Sequence, residues 1–315
     1  MKDLRILFMG TPDFAVGVLK ELVQQNKNVV AVITAPDRPA GRGRKLRPSA
    51  VKEYATEQDI PVLQPTNLKD EGFIELLKSY NANLQIVVAF RMLPKVVWQL
   101  PEFGTFNLHA SLLPEYRGAA PINWAIINRE AKTGVTTFFI DEKIDTGEII
   151  LSEEVPITSR ETVGSLHDTL MKTGAQLVLN TVQAIEDGTI ETKAQPKDRT
   201  YKEAPKLTNE NTKIDWSQPV AVIDALVRGL SPYPVAWCYL NNEGEQQKIK
   251  IYKTTFEETE TSSEIGTVTT SKKSIRVSCK DGYLNIKELQ LPGKRKMDAA
   301  SLLNGFSFGT DAKLT

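Results

Sequence analysis

Short apolar runs alternate with helical segments through the first half of the chain, and this alternation constrains the fold more than any other feature. The runs read "LRILFM" (residues 4–9), "VVAVIT" (29–34), "LQIVVA" (84–89) and "GTFNL" (104–108). Runs this short and this apolar are typical of buried strands. Strands that alternate with helices predict βαβ units, and so an α/β domain with a Rossmann-like, mostly parallel sheet.

The signals after the first run predict where its helix begins. Gly10 ends the run, Thr11 offers an N-cap, Pro12 suits the first helical position and Asp13 suits the positive end of the helix dipole. We therefore expect a helix over residues 12–25.

The composition of the chain changes near residue 190. Before this point, two strand-like runs flank a loop at residues 141–147, and a long helix is expected over residues 162–187. The stretch "AQPKDRTYKEAPKLTNEN" is polar, contains two prolines and is typical of a linker. Beyond it, short β-like runs alternate with turn signals such as "NNEG" and "KDG". We expect a catalytic domain over 1–190, a linker over 191–212 and a small C-terminal β-barrel (OB-like) domain over 213–315.

Composition narrows the class of protein. The 39 basic and 39 acidic residues cancel, which argues against a chain coated in positive charge but leaves room for a local basic patch. Cys238 and Cys279 are too few for a disulfide framework or a cysteine metal site, and we find no metal-ligand cluster. No apolar run is long enough to span a membrane, and the first residues lack the pattern of a signal peptide. We expect a cytoplasmic protein without a metal.

The stretch "FNLHASLLP" holds one of only two histidines in the chain. Asn107 and His109 are two residues apart, so on a strand they share a face, at the end where parallel sheets bind ligands. An amide donor beside an imidazole suits proton transfer, and Asp145 in a nearby loop would orient the ring. Without further evidence, His109 also fits a capped or solvated residue at a strand end, and Asp145 fits a turn residue. We expect the other histidine, His167, to be structural.

The longer string "FNLHASLLPEYRGAAPINWAI" (106–126), followed by "IDEKIDTGEII" (140–150), resembles the formyltransferases that use 10-formyltetrahydrofolate. The resemblance implies that Asn107, His109 and Asp145 are the catalytic set. It also implies that residues 111–114 lie against the folate and that the strand end near residue 90 lines the pterin site. The implied cofactor-binding residues are Val88, Phe90, Ser111, Leu112, Leu113 and Pro114.

The residue types suggest a mechanism for formyl transfer. A free amine would attack the formyl carbon carried on N10 of the folate. Asn107 and a protonated His109 would donate hydrogen bonds to the oxygen that gains negative charge. The proton that moves from the amine to N10 would pass through a water held at Asp145 or through His109 itself.

The acceptor amine is indicated by a second stretch, "DRPAGRGRKLR" (37–47). Its five basic residues against one acidic residue suit phosphate groups, although a solvated surface loop has the same composition. Together with "GTPDFA" (10–15), it resembles the N-terminal half of methionyl-tRNA formyltransferases. The resemblance implies that this loop enters the acceptor stem of initiator tRNA and that Arg42 is important there. The implied tRNA-binding residues are Arg38, Arg42, Arg44, Lys45 and Arg47.

The C-terminal domain resembles the barrel domain of the same family through "RGLSPYPVAW" (228–237), and the resemblance implies that it helps to hold the tRNA. Candidate phosphate contacts in this half are Lys206, Lys248, Lys250, Lys253, Lys272, Lys273, Arg276 and the "GKRK" run at 293–296. Each of them also fits a solvated surface charge. One departure from the family lies in "VVAFRMLP" (87–94), where Arg91 replaces a glycine and the stretch is one residue shorter.

We therefore expect a monomeric enzyme that transfers a formyl group from 10-formyltetrahydrofolate to the α-amino group of methionine on initiator tRNA. A formyltransferase for nucleotide-linked amino sugars is the nearest alternative, but it gives no role to the basic loop. A tRNA-binding protein without activity would have no reason to keep Asn107, His109 and Asp145 together. A nicotinamide enzyme is disfavoured because no G-x-G-x-x-G pattern follows the first strand.

Overall fold

The computed structural model describes residues 2–40, 45–196 and 200–315. They divide into two units. The N-terminal unit consists of the residues up to Gly118 together with Thr133–Pro156 and His167–Glu203. The C-terminal unit consists of Ala119–Lys132, Ile157–Leu166 and Ala204–Thr315. Two short segments of the first half thus belong to the C-terminal unit, and the boundaries expected along the sequence stay a prediction.

The elements up to residue 204 alternate between strands and helices. The strands are β1 (Ile6–Gly10), β2 (Val29–Ile33), β3 (Arg38–Ala40), β4 (Lys45–Arg47), β5 (Val62–Leu63), β6 (Leu84–Val88), β7 (Thr105–His109), β8 (Arg117–Gly118), β9 (Lys132–Phe139), β10 (Ile149–Pro156) and β11 (Glu203–Ala204). The helices are α1 (Asp13–Gln24), α2 (Ala50–Glu57), α3 (Glu71–Ser79), α4 (Lys95–Trp98), α5 (Pro121–Ile127) and α6 (Val163–Asp187).

A seven-stranded sheet organises the N-terminal unit, in the order β10-β9-β7-β6-β1-β2-β5. Strand β1 pairs in parallel with β2 and β6, β2 with β5, and β6 with β7. Strand β9 then pairs antiparallel with β7. The prediction of a Rossmann-like, mostly parallel sheet is confirmed, and the carboxyl ends of β1, β6 and β7 lie at one edge of the sheet.

The apolar runs are continuous because the central strands are buried on both faces. On one face, Leu7 and Met9 belong to an apolar cluster with Phe73 and Leu77 of α3. On the other face, Gly174 of α6 lies so close to Leu108 that an added Cβ would come within 2.8 Å of the leucine Cδ2 atom. A larger residue at 174 would push α6 away from the sheet.

The C-terminal unit is mostly antiparallel sheet. Its remaining elements are α7 (Val220–Gly229), β12 (Ala236–Asn242), β13 (Glu245–Glu258), β14 (Val268–Thr270), β15 (Ile275–Cys279), β16 (Gly282–Gln290), β17 (Met297–Asp298), α8 (Ala299–Leu303) and β18 (Lys313–Leu314). The strand order is β14-β15-β16-β13-β12-β18. A bridge between Thr267 and Lys313 joins the two ends of this order. The sheet therefore closes almost completely, and the predicted C-terminal β-barrel is confirmed.

Two local expectations need correction. Helix α1 lies where the sequence predicts it, but Pro12 and not Thr11 occupies the N-cap, and no side chain caps the helix. Pro12 is extended, with φ −84° and ψ 175°, so its ring precedes the first turn instead of forming it. The basic stretch is not wholly a loop, because β3 and β4 pair antiparallel, with Arg38 opposite Arg47.

Within the described residues, no helix has the length and apolar character needed to cross a bilayer. Both cysteines lie inside the barrel as unpaired thiols, Cys238 on β12 and Cys279 on β15. Burial raises the pKa of each thiol to about 12.

The buried thiols are therefore expected to be unreactive in the folded protein. The thiolate is the reactive form, and with a pKa of about 12 each cysteine stays protonated at pH 8. A chromogenic disulfide reagent at pH 8 should titrate no thiol in native protein and both after unfolding in guanidinium chloride. Titration of either thiol before unfolding would contradict this prediction.

Candidate active site

The candidate site lies at the carboxyl ends of β6 and β7 and in the loop between β9 and β10. Leu108 packs towards α6, so its neighbours Asn107 and His109 face the opposite side of the sheet. Asn107 is half-buried, with Val87 and Phe138 beside it in the neighbouring strands. His109 ends β7 and is buried. The structure thus brings the amide and the imidazole to one face of one strand.

The hydrogen bonds of His109 define which ring nitrogen carries a proton. Its Nε2 atom lies 2.8 Å from the carbonyl oxygen of Tyr116. Because a carbonyl oxygen can only accept, Nε2 is the donor. The other nitrogen, Nδ1, lies 3.8 Å from Oδ2 of Asp145. In the neutral ring a lone pair would face this carboxylate, whereas a second proton makes the contact an ion pair. His109 is therefore oriented by an acceptor oxygen on each side of its ring.

Asp145 occupies an unusual backbone position. Its φ angle is 54°, in the left-handed region that side chains other than glycine seldom adopt. Its Oδ2 atom accepts a hydrogen bond of 2.9 Å from the backbone N–H of Gly118. The loop tightens further at Gly147, where an added Cβ would lie 1.7 Å from the carbonyl oxygen of Phe139. Asp145 is thus held by a constrained loop, with its carboxylate turned towards His109.

The segment that carries Ser111, Leu112, Leu113 and Pro114 is held by a residue that the sequence interpretation missed. The Thr136 hydroxyl donates to the carbonyl oxygen of Ser111 at 2.7 Å and accepts from the N–H of Leu113 at 3.2 Å. The Ser111 hydroxyl donates to the carbonyl oxygen of Glu115. Ser111 therefore shapes its own segment. A threonine in a β-rich run is typical of any strand, so the sequence carried no signal for this role.

At the end of β6, Val88 is buried and Phe90 is half-buried. Arg91, which departs from the family pattern, turns towards the segment after β5. Its guanidinium group donates to the carbonyl oxygens of Pro65 and Thr66 and lies 5.7 Å from the centroid of the Phe90 ring. This arginine ties two loops together, and its side chain makes contacts that a glycine could not make.

The basic stretch begins as a hairpin of β3 and β4, in which Arg38 and Arg47 are exposed. At its base, Lys52 and Gln64 donate to the carboxylate of Asp37 over 2.7 and 2.8 Å. These hydrogen bonds lower the pKa of Asp37, with the bond from Lys52 as the largest cause. The one acidic residue of the stretch is thus already paired.

The remaining basic residues of this stretch are not all described. Lys45 begins β4, while Arg42 and Arg44 lie outside the described residues.

Across residues 2–40, 45–196 and 200–315, no group of three or more His, Cys, Asp and Glu side chains is arranged to hold a metal ion.

Comparison with known proteins identifies the family. Residues 4–182 match the family described as formyl transferase, and residues 206–307 match the formyl transferase C-terminal domain. A methionyl-tRNA formyltransferase of Flavobacterium johnsoniae is 56% identical over 314 residues, which cover 100% of each chain. One from Bacteroides thetaiotaomicron is 51% identical over 318 residues, which cover 99% of each chain.

Solved structures with lower identity share the fold. HypX from Aquifex aeolicus superimposes with a TM-score of 0.66 at 18% identity, over 98% of this chain and 49% of that chain, so the match spans about half of HypX. WlaRD, a sugar 3N-formyl transferase, superimposes with a TM-score of 0.64 at 21% identity, over 94% of this chain and 100% of that chain. With both domains of the family matched, and more than half of its residues identical to full-length relatives, this chain belongs to the methionyl-tRNA formyltransferase family.

Proposed function

We propose that this enzyme transfers the formyl group of 10-formyltetrahydrofolate to the α-amino group of methionine on initiator tRNA. The observation that carries the proposal is the convergence of Asn107, His109 and Asp145 at the carboxyl ends of the central strands. An amide, an imidazole with its Nε2 atom already donating and a carboxylate 3.8 Å from Nδ1 suit acyl transfer to an amine.

In this mechanism, Asn107 and a protonated His109 ring would stabilise the negative charge that develops on the formyl oxygen. The amine nitrogen bonds to the formyl carbon to give a tetrahedral intermediate, and the bond from that carbon to N10 then breaks. The amine loses a proton and N10 gains one. Because Nε2 of His109 is committed to the Tyr116 carbonyl, Nδ1 is the ring atom that exchanges a proton, and Asp145 lies beside it. The proton taken from the amine would therefore reach N10 through Nδ1 of His109 or through a water held at the Asp145 carboxylate.

The folate is proposed to lie along the segment of Ser111, Leu112, Leu113 and Pro114, with its pterin near Val88 and Phe90. The hydroxyl of Thr136, which donates to Ser111 and accepts from Leu113, holds this segment in place. Backbone groups at the end of β6 would contact the pterin, because the Arg91 side chain is directed to Pro65 and Thr66. The glycine-to-arginine departure is therefore compatible with folate binding.

The hairpin of β3 and β4 is proposed to contact the tRNA acceptor stem. Its exposed residues Arg38 and Arg47 lie opposite each other, so two positive charges project from neighbouring strands. Arg42, Arg44 and Lys45 are proposed to extend this surface. Phosphate groups are the ligands that such a cationic hairpin suits.

A second basic surface lies on the barrel and is called here the barrel-face cluster: Lys213, Trp237, Tyr239, Lys248 and Lys250. Lys250 pairs with Trp237 across β12 and β13, and Lys248 pairs with Tyr239. The Nζ atom of Lys248 lies 3.5 Å from the centroid of the Trp237 ring, and that of Lys213 lies 5.3 Å from the Tyr239 ring. The rings thus support exposed ammonium groups, which suits contact with a phosphate backbone.

Two of the other candidate contacts in the barrel are already in ion pairs. Arg276 forms an ion pair of 3.0 Å with Glu257, and Lys296 one of 2.6 Å with Glu288. We therefore place the tRNA contact of the barrel on the barrel-face cluster.

A cytoplasmic location and a monomeric state, both expected from the sequence, remain part of the proposal.

Replacing Arg38 and Arg47 together with alanine is expected to raise the KM for charged tRNA. Each lost phosphate contact should lower the slope of log affinity against log salt by about 0.7–0.9. The kcat at saturating tRNA and the KM for the formyl donor should stay within a factor of about two, because both residues lie outside the catalytic set. Steady-state kinetics at several salt concentrations measure these values. Lys172→Ala, on the exposed surface of α6, is the control. An equal rise in both KM values would contradict the role.

The acceptor is tested by a formyl-transfer assay with the whole protein. Reactions contain 10-formyltetrahydrofolate and, in parallel, methionyl initiator tRNA, uncharged tRNA or a nucleotide-linked amino sugar. Formylmethionine formed with the charged tRNA alone supports the proposal. Transfer to the sugar alone would keep the catalytic set and replace the acceptor, and no transfer in any reaction would overturn the proposed activity.

A further inference from the structure

Gln195 belongs to the polar stretch that the sequence analysis interpreted as a linker, yet its side chain is buried. The amide nitrogen donates to two carbonyl oxygens in the loop of Asp145: that of Asp145 itself at 3.0 Å and that of Gly147 at 2.8 Å. Gln195 thus spans both sides of Thr146 and fixes the backbone at the position where Asp145 adopts its left-handed conformation.

The carbonyl oxygen of the same Gln195 amide also has hydrogen-bond partners. The Gln195 Oε1 atom accepts from Nε and from one terminal nitrogen of Arg117, at 3.1 and 2.5 Å. Arg117 directly precedes Gly118, whose N–H donates to the Asp145 carboxylate. One amide therefore connects the backbone of Asp145 to the segment that binds its side chain. A flipped amide would turn its N–H groups towards the Arg117 guanidinium group and its oxygen towards the carbonyl oxygens of Asp145 and Gly147. Donors would then face donors and acceptors would face acceptors, so the observed orientation is the favourable one.

From this connection we infer that Gln195 is a positioning residue for formyl transfer, which acts through Asp145 and touches neither substrate. A left-handed aspartate persists only where its surroundings hold it. Here the amide of Gln195 holds the main chain and the N–H of Gly118 holds the carboxylate. Together they set the distance of 3.8 Å between Asp145 Oδ2 and His109 Nδ1. The inference rests on the proposed function where it concerns catalysis, and on geometry alone where it concerns the loop.

Gln195→Glu removes the hydrogen bonds that the amide donates and keeps those that it accepts. A carboxylate at this position keeps an acceptor for Arg117, and the added charge strengthens that contact. It has no hydrogen to donate, so it faces the carbonyl oxygens of Asp145 and Gly147 with a repulsive oxygen. The variant should release the loop while it preserves the attachment to Arg117. Gln195→Met, which has a similar shape and no donor, is the second variant if the glutamate form fails to fold.

The kinetic expectation is a loss of kcat without a loss of substrate binding. Misplacement of a reacting group by about 1 Å can cost about 10²-fold in rate, so Gln195→Glu should lower kcat by about that factor. The KM values for the formyl donor and the charged tRNA should change less than about threefold. Gln176→Glu is the matched control, since Gln176 is exposed on α6 and donates to Asn180 of the same helix.

A double-mutant cycle distinguishes positioning from a general structural role. If Gln195 acts through Asp145, Gln195→Glu should lower kcat by less than about twofold when it is added to Asp145→Ala. The same fold-loss in both backgrounds would overturn the inference, as would an unchanged kcat in the single variant. Thermal unfolding, followed by circular dichroism, identifies any variant that has lost its fold, and the Gln195→Met variant then replaces it.

A measurement without turnover tests the loop directly. The Gly118 amide is protected by the Asp145 carboxylate, so its hydrogen exchange, measured by NMR, should become at least about tenfold faster in Gln195→Glu. Amides between β1 and β6 should not change. Unchanged exchange at Gly118 would overturn the inference. Wild-type turnover in Asp145→Ala would instead overturn the proposed catalytic set, and the exchange at Gly118 would then decide the role of Gln195 by itself.

Discussion

Alanine at Asn107, His109 or Asp145 is expected to lower kcat by about 10²–10³-fold, with tRNA binding nearly unchanged. The loss of one preorganised donor to a developing negative charge has this magnitude. For His109 the variant removes the imidazole ring, and for Asp145 it removes the carboxylate that faces Nδ1 at 3.8 Å. Single-turnover formyl transfer with saturating charged tRNA measures the chemical step, and filter binding measures the tRNA affinity.

The second histidine provides a matched control. His167 on α6 also lies beside an aspartate, with Nδ1 at 3.1 Å from Oδ1 of Asp168, and its ring packs edge-on against Phe14. His167→Ala and Asp168→Ala remove the same chemical groups from α6, where His167 is half-buried and Asp168 is exposed. They should retain turnover within about twofold. Near-wild-type rates in all three active-site variants would overturn the site assignment, whichever acceptor the enzyme uses.

Much of the fold follows from local patterns. The runs that became β1 and β6 are almost wholly apolar and are buried along their length, because they lie in the centre of the sheet. The spacing of Asn107 and His109 predicts a shared face, since alternation along a strand is a local property. The prediction that Thr11 is the N-cap of α1 was wrong. Thr11 and Pro12 are both compatible with a helix start, and only the path of the chain decides between them.

The residues that hold the catalytic side chains in position could not be predicted from local patterns. Gln195 lies 50 residues from Asp145 in the sequence and follows a helix of 25 residues, so its contact depends on the completed fold. Its neighbours are polar and include a proline, which is typical of a linker. The left-handed backbone of Asp145 also leaves no local signal, because an aspartate before Thr-Gly occurs in many turns. Sequence patterns thus indicate the reacting groups but miss the residues that orient them.

Asp224→Ala is expected to lower the free energy of unfolding of the C-terminal unit by about 3 kcal/mol or more. Asp224 is fully buried on α7, and its carboxylate accepts from Arg160, Arg228 and the hydroxyl of Thr254. Removal of one partner from a buried ion pair costs about 3–5 kcal/mol, because it leaves the opposite charge unpaired. Three of the four tryptophans, at 124, 216 and 237, lie in this unit, so fluorescence in a urea titration reports mainly on its unfolding.

The two arginines around Asp224 should not contribute equally. Each arginine also donates to a backbone carbonyl oxygen, Arg228 to that of Glu161 and Arg160 to that of Thr254. The Arg228 side chain is 12% exposed, whereas the Arg160 side chain is 47% exposed and can turn to water. Arg228→Ala should therefore destabilise the unit more than Arg160→Ala. Glu257→Ala, which breaks the exposed pair with Arg276 in the same barrel, is the control and should cost less than about 1 kcal/mol. A urea midpoint for Asp224→Ala equal to that of this control would show that the buried carboxylate is dispensable, and that apolar packing alone holds α7 against β13.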